Sequence, residues 1–320
     1  MEDNLFIFSF NIMNKSLRLF IFNVLIFVLI IGGVDFLGGE INRMFQFAVC
    51  EKFPRNIGSK TYYTINKSNE DIIIIGSSRA SYHYVSRLIT DSTKFSSYNC
   101  GQDGHFFVFS NCVINTLLER YSPKYIIWEV DDNCLTTTSP EQSINDLYPY
   151  YNLVYCKNVI DNMGIKQKIK MQSKLYRYNS TLDGLISPFL KVQNFDNGYV
   201  PIENLGYKYP TIKNDLIENE VNSDKVKMLK NTLINCIEHD VKIIITSSPK
   251  FTISNIKNTV QYKTLIQVCD DYDIPFIDLS GIDLFLRDST YFKDNVHMND
   301  KGARKYMEYF IPELKKAMNK

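Results

Sequence analysis

Four consecutive isoleucines, Ile72 to Ile75, run straight into Gly76-Ser77-Ser78-Arg79. A run of β-branched residues is a poor helix and a good strand, and one with no polar alternation must bury both of its faces. The glycine then permits a tight turn that delivers a serine to the start of a helix. Further runs of this kind recur at Phe95–Tyr98, Tyr125–Val130, Val241–Thr246 and Ile274–Leu279. Helical patterns separate them at Val108–Tyr121, Ser223–His239, Val260–Asp271 and Lys301–Met318, with Pro312 expected to break or kink the last. Short apolar runs alternating with helix-length segments predict an α/β fold, a central parallel sheet with helices on both faces and the first strand in the middle. Ligands of such sheets bind beyond the carboxyl ends of the strands.

Ahead of this region the chain carries a second constraint. From Leu17 to Leu37 it is almost wholly apolar, with Lys15 and Arg18 before it and Asp35 near its end. That is about the 20 residues a helix needs to cross hydrocarbon. The residues after the apolar run lack the small-x-small arrangement of a cleavage site, because Phe36 and Leu37 stand there, so residues 17–37 read as a retained transmembrane anchor. Positive charges at its front place residues 1–16 in the cytoplasm and the main domain outside. Met13 begins a good charged leader of its own, which makes it an alternative start. Residues 38–70 read as a tether and first helix, and 71–320 as the sheet domain, interrupted by an insertion over 135–222.

Of 320 residues, 45% are hydrophobic, enough for one large core, and the formal net charge is +1. With no basic patch interleaved with stacking aromatics, nucleic acid is not an expected partner. The seven cysteines show neither a C-x-x-C pair nor ligand spacing with histidine. No metal and no cofactor are expected, and an odd number excludes complete pairing within one chain.

Near the C-terminus, Asp294-Asn295-Val296-His297 sets a carboxylate three residues before a histidine, just ahead of the last helix. Asp294 is suited to accept from one ring nitrogen, leaving the other to take a proton from Ser78. Serine at that position is also the usual N-cap of a helix, which is the plain structural reading of Ser78. Asn99-Cys100-Gly101-Gln102-Asp103-Gly104 follows the second strand and reads either as an Asn/Gly turn or as a backbone N–H donor at Gly104. Asn133 ends the third strand in Asp131-Asp132-Asn133, a polar turn whose amide is able to donate to an oxyanion. His239 reads as a helix C-cap, His83 as a packing residue and His105 as placed to touch substrate, while Arg79 is suited to offset the Asp131-Asp132 carboxylates, to clamp an anionic substrate, or simply to lie on the helix surface.

In this order, G-x-S after strand one, N-x-G-x-x-G after strand two, an Asn after strand three and D-x-x-H before the last helix resemble the SGNH/GDSL hydrolase superfamily. The resemblance covers 71–133 and 241–318. It implies a flavodoxin-like three-layer sandwich, Ser78 as nucleophile, His297 and Asp294 as base and orienter, and an oxyanion hole formed by the Ser78 amide, Gly104 and Asn133. With one anchor, the chain looks like envelope-located members, some of which act in acylation of cell-wall or exported polysaccharides. The expected substrate is then an acylated glycan. The family's G-x-N-D block is replaced by Asp131-Asp132-Asn133-Cys134, which sets two carboxylates beside the oxyanion donor.

The insertion is rich in tyrosine (Tyr148, Tyr150, Tyr151, Tyr155, Tyr176, Tyr178, Tyr199, Tyr207 and Tyr209) and holds a basic run from Lys166 through Lys174 to Arg177. It reads as a substrate rim over the carboxyl ends of the strands, or as a solvated basic helix with a tyrosine-packed underside. These readings add up to a membrane-anchored serine esterase or O-acyltransferase. Two alternatives remain: a non-catalytic relative that scaffolds envelope polysaccharide assembly, favoured by Asp131-Asp132, and a flavodoxin-like module that holds phosphate at the Gly76–Arg79 turn.

Overall fold

A computed structural model of the chain describes residues 14–53, 59–131, 133–136, 144–179, 196–203, 213–214, 220–253 and 256–319. The isoleucine run forms β1 (Ile72–Ile75), at the heart of a five-stranded sheet with β2 (Ser97–Asn99), β3 (Tyr125–Glu129), β5 (Lys242–Ser247) and β7 (Phe276–Asp278). The order is β2-β1-β3-β5-β7, and every pairing is parallel. The middle strand is therefore β3, and β1 lies one place from it, contrary to the expectation that the first strand is central. The chain steps outward from β1 to β2 and returns to the far side of β1 with β3. That reversal makes the gap beyond the carboxyl ends of β1 and β3 the switch point where α/β sheets hold ligands.

Alternation along each strand feeds two cores. Ile73, Ile75, Ile126, Trp128, Ile243 and Ile245 pack against α5 (Phe107–Leu118), α9 (Ser223–Glu238) and α10 (Val260–Asp271). On the other face, Ile72, Ile74, Ile127 and Ile244 meet α3 (Ser78–His83), α4 (Ser86–Thr93), α11 (Asp283–Arg287) and α12 (Asp300–Met318). Each β1 isoleucine is 2% exposed or less. Complete burial of such a side chain stabilises by about 1.5–3 kcal/mol, which is why neither face tolerates a polar residue. Pro312 lies inside α12, which continues through it to Met318.

The N-terminal helix α1 covers Lys15–Lys52, 38 residues, opened by the Asn14 side chain accepting from Ser16 N at 3.0 Å. It is long and apolar enough to cross a membrane, and none of its most apolar stretch is buried. No tether follows Leu37 directly: the helix continues unbroken, and α2 (Lys60–Asn66) comes after it. Gly39 explains part of this continuity. A Cβ there would lie 2.4 Å from Lys174 Cβ, so the glycine lets α8 (Lys174–Asn179) pack closely against α1. Residues 1–13, which hold Met13 and most of the segment 1–16 expected in the cytoplasm, lie outside the described residues.

The insertion does not form one rim. Its short 3₁₀ helix Asn145–Tyr150 approaches the loop after β2, while α6 (Val154–Asp161), α7 (Ile165–Lys170) and α8 lie beside α5 and α1. Further on, Asn197 O accepts from Asn99 N at 2.8 Å, which covers the outer edge of β2. The two-residue β4 (Lys213–Asn214) pairs with β6 (Thr252–Ile253), just past the carboxyl end of β5. Tyr148, Tyr150, Tyr151, Tyr178 and Tyr199 are buried, and Tyr155 and Tyr176 pack against the core. These tyrosines build the subdomain, as the packed reading of the insertion expects, and Tyr150 and Tyr178 also border a cleft beside α1. Tyr207 and Tyr209 lie outside the described residues.

Ile74→Ala should lower the unfolding free energy by about 2–5 kcal/mol, since it hollows the sheet's second core. Urea unfolding of the detergent-solubilised chain, followed by Trp128 fluorescence, measures it.

Candidate active site

Gly76 has φ +155°, and a Cβ on it would sit 2.7 Å from Glu129 O and 2.8 Å from Ala80 Cβ. Only glycine lets the chain turn this sharply between β1 and α3. The N-cap of α3 is Ser77, whose hydroxyl accepts from Arg79 N at 3.3 Å. The capping role that a serine there ordinarily fills is thus taken by the preceding residue, and the Ser78 hydroxyl engages His297 instead. Ser78 Oγ lies 2.7 Å from His297 Nε2, across 219 residues of sequence.

The histidine is held from its other side. Its Nδ1 lies 2.8 Å from Asp294 Oδ2, while Asp294 Oδ1 accepts the Val296 and His297 amides at 2.8 Å each. Burial raises the Asp294 carboxyl, but the hydrogen bonds from His297 and Val296 outweigh it and hold the group well below the usual carboxylate range. An ionised Asp294 requires the hydrogen on Nδ1, so Nε2 carries the lone pair that accepts from Ser78. Tyr82 packs edge-on against the imidazole at 5.3 Å, fixing the ring plane. The loop is anchored by Phe251 N donating to Asn295 O at 2.9 Å and Asn295 Nδ2 to Phe251 O at 3.3 Å.

Behind this triad runs a buried polar chain. Met298 N, next to His297 in sequence, donates to His83 Nε2 at 2.9 Å. That contact puts the His83 hydrogen on Nδ1, which donates to Ser248 Oγ at 2.8 Å, and Ser248 Oγ donates to Glu129 Oε1 at 3.3 Å. Burial first, and the Arg79 charge second, keep His83 well below the ordinary imidazole range, so it stays neutral. Arg79 Nη2 closes the chain, 2.8 Å from Glu129 Oε1 and 2.7 Å from Val130 O, with Nη1 on Ser248 O at 3.1 Å. The serine helix, two strand ends and the histidine loop therefore share one network.

Arg79 is 1% exposed, so its guanidinium faces this network rather than a substrate. It also stands 3.6 Å from Asp131 Oδ2. Burial works to raise Asp131, but Arg79 and Lys250 hold it below the usual range. Asp131 Oδ1 caps the turn by accepting from Asn133 N at 3.1 Å. The carboxylate that crowds the oxyanion donor in the sequence is thus compensated; Asp132 lies outside the described residues. Asn133 Oδ1 accepts from Gln261 Nε2 at 3.4 Å, which leaves the amide nitrogen as the donating end.

The loop after β2 is fastened to the serine helix. Gln102 N donates to Gly76 O at 3.1 Å, and Asp103 accepts from the Tyr82 hydroxyl. Gly104 follows in the left-handed region, φ +71°. Asn99 Nδ2 donates to Ala80 O at 2.7 Å and Tyr84 O at 2.8 Å. Two residues escaped sequence reasoning. A Cβ on Gly101 would lie 2.4 Å from Ser81 N, so this glycine sets the approach of the loop. Lys60, fully buried, donates to Gly101 O at 2.8 Å and Ser81 Oγ at 3.0 Å, and burial lowers its amine to about 8. A lysine in a mixed polar stretch gave no signal of this; Asn-x-Gly did. His105 is buried against Phe109, with Nδ1 2.6 Å from Asp103 O and Nε2 3.6 Å from Asp146. It supports the loop and does not face substrate. His239 caps α9, its Nδ1 2.8 Å from Asn235 O.

Arg79→Leu should destabilise the fold by about 3–5 kcal/mol, because it leaves the fully buried Glu129 carboxylate without its cation. A double Arg79→Leu/Glu129→Leu variant should recover most of that loss in urea unfolding. Neither the models of known protein families nor the curated proteins compared with the chain match it.

Proposed function

We propose that the protein is a serine esterase or O-acyltransferase of the SGNH type, acting on an acylated glycan at the cell envelope. The observation that carries this reading is the 2.7 Å contact between Ser78 Oγ and His297 Nε2, with Asp294 behind the ring and the whole at the switch point of the sheet. Ser78 Oγ attacks the acyl carbon while Nε2 takes its proton, and Asp294 stabilises the resulting imidazolium. The oxyanion is received by the Ser78 amide, with Gly104 N–H and Asn133 Nδ2 as the further donors. The imidazolium then protonates the departing alcohol oxygen. Water, or a sugar hydroxyl, gives its proton to Nε2 and attacks the acyl-enzyme, restoring Ser78. Compensation of Asp131 by Arg79 and Lys250 answers half of the sequence argument for a non-catalytic scaffold, Asp132 lying outside the described residues. Ser77 Oγ on the Arg79 amide occupies a donor that a phosphate-holding turn would need.

Ser78→Ala should cost on the order of 10⁶ in kcat, and Asp294→Asn less, on the order of 10⁴, with the fold intact in both. A serine-reactive fluorophosphonate should label the wild-type chain and not Ser78→Ala. Absence of labelling, or full turnover by Ser78→Ala, would sink the catalytic reading. Hydrolysis and transfer are separated by supplying an acylated donor with and without an acceptor glycan and following both free acid and acylated glycan.

The helix α1 serves in this reading as a retained anchor with the sheet domain outside the cytoplasm, supported by Lys15 and Arg18 ahead of the apolar stretch. A phosphatase fused after Lys320 should be active in cells. A mature chain beginning near Gly39, or a fusion active only in the cytoplasm, contradicts it.

A further inference from the structure

Where α8 meets α1, the contact is polar and close. Asp35 accepts from the Ser173 hydroxyl, from Lys174 N at 2.9 Å and from Leu175 N at 3.3 Å. Above this joint lies a cleft of about 390 Å³, walled by Arg43 and Phe47 of α1, Lys174 and Arg177 of α8, and Asn152. Three cations meet two carboxylates around it: Glu40 pairs with both Arg43 and Lys174, and Asp35 lies within electrostatic reach of Arg177, which leaves a surplus of one positive charge. Arg177 Nη1 donates to Asn152 Oδ1 at 3.1 Å, while its Nε is buried and has no partner among the described residues. A cleft with surplus positive charge and an unmet guanidinium donor suits a phosphate group.

Its position selects the source of that phosphate. Glu40 and Arg43 stand three and six residues past Leu37, about 4.5 and 9 Å along the helix axis. Those heights span the headgroup layer beyond the hydrocarbon edge of a bilayer holding residues 17–37. Next to the cleft, Met163, Ile165 and Ile169 are 54%, 70% and 64% exposed, large apolar side chains with no protein cover. Ile165 and Ile169 share one face of α7, and Lys166, Lys168 and Lys170 alternate around it. Apolar residues beside lysines at the level of the headgroups are the pattern of an interfacial segment. Lys174 Nζ also lies 3.8 Å from the centre of the Phe36 ring, where the anchor ends.

We propose that this cleft binds the phosphate of an anionic phospholipid through Arg43, Lys174 and Arg177, with Ile165 and Ile169 seated in the adjoining leaflet. The carboxylate of Glu40 limits the affinity by occupying two of the three cations. The lipid would clamp α8 against α1 and so hold the insertion at the membrane surface.

The test uses the full chain, purified in detergent and stripped of lipid, titrated with phosphatidylglycerol, with phosphatidylcholine and with inorganic phosphate while thermal unfolding and bound lipid by native mass spectrometry are followed. Phosphatidylglycerol should raise the unfolding temperature and stay bound at least about tenfold more tightly than phosphatidylcholine. R43Q/R177Q should lose that preference, and Glu40→Gln should strengthen it. Ser78→Ala should behave as wild type, which separates this site from the proposed chemistry. Equal retention of the two lipids overturns the proposal, as does an unchanged preference in R43Q/R177Q. Inorganic phosphate giving the same stabilisation at equal concentration replaces the lipid with a soluble phosphate ligand. If R43Q/R177Q fails to fold, Glu40→Gln decides alone, and no gain in phosphatidylglycerol affinity refutes the idea.

Discussion

The buried pair between Arg79 and Glu129 is the contact on which the site depends. Side chains 1% and 0% exposed carry opposite charges 2.8 Å apart at the sheet's switch point. Taking two ions out of water is costly, and good packing of apolar residues would stabilise the same space at least as well. What the ion pair supplies is direction. The guanidinium reaches Val130 O, Ser248 O and Glu129 from a helix whose first residue is Ser78, so it fixes the rotation of that helix against β3 and the end of β5. Through Ser248 and His83 the same pair reaches Met298, and thereby the backbone beside His297. Ser78 and His297, 219 residues apart in sequence, are aligned from behind by buried polar groups.

That network explains why polar residues persist in an otherwise apolar interior. His83 is kept neutral, and its tautomer is set by an amide donor rather than by a charge. Each polar group in the chain has one orientation open to it, since a donor facing a donor in that environment would cost several kcal/mol. Rigidity of this kind is what a serine and an imidazole need if their hydrogen bond is to survive without substrate present.

Much of this was legible in the residues, and unevenly so. The isoleucine run, Gly76 and the Asp294–His297 spacing each have one economical fold, and strand pairing brought them together as expected. Periodicity located α10 and α9 within a residue. It could not order the strands, because β1 and β3 are equally apolar and only the crossovers place β3 in the middle. His105 misled, because a polar residue beside a motif looks like a substrate ligand until its partner, half-buried Asp146, is seen; Arg79 does offset Asp131, as one of its readings had it, but its main partner is the buried Glu129. The glutamate within Tyr-Ile-Ile-Trp-Glu-Val was the available clue, since a carboxylate in a two-sided buried strand demands a cation. The tyrosines of the insertion follow the packed reading, their rings filling a subdomain, and the two that border a cleft, Tyr150 and Tyr178, do so beside α1.

The unbroken course of α1 past Leu37 has a mechanical consequence. Val49 and Cys50 near its end pack with Tyr62, and Phe47 joins the main core, while Gly39 and Asp35 lock its flank to α8. Leu37 and Lys52 are joined by about 22 Å of continuous helix, with no joint between them. A domain mounted on such a strut cannot search outward as one on a flexible tether does. With α1 held in a bilayer, as proposed above, it would sweep laterally at a nearly constant height, and Ser78 would meet only what passes through one thin layer beside the membrane. Reach, in this protein, is set by the length of a helix.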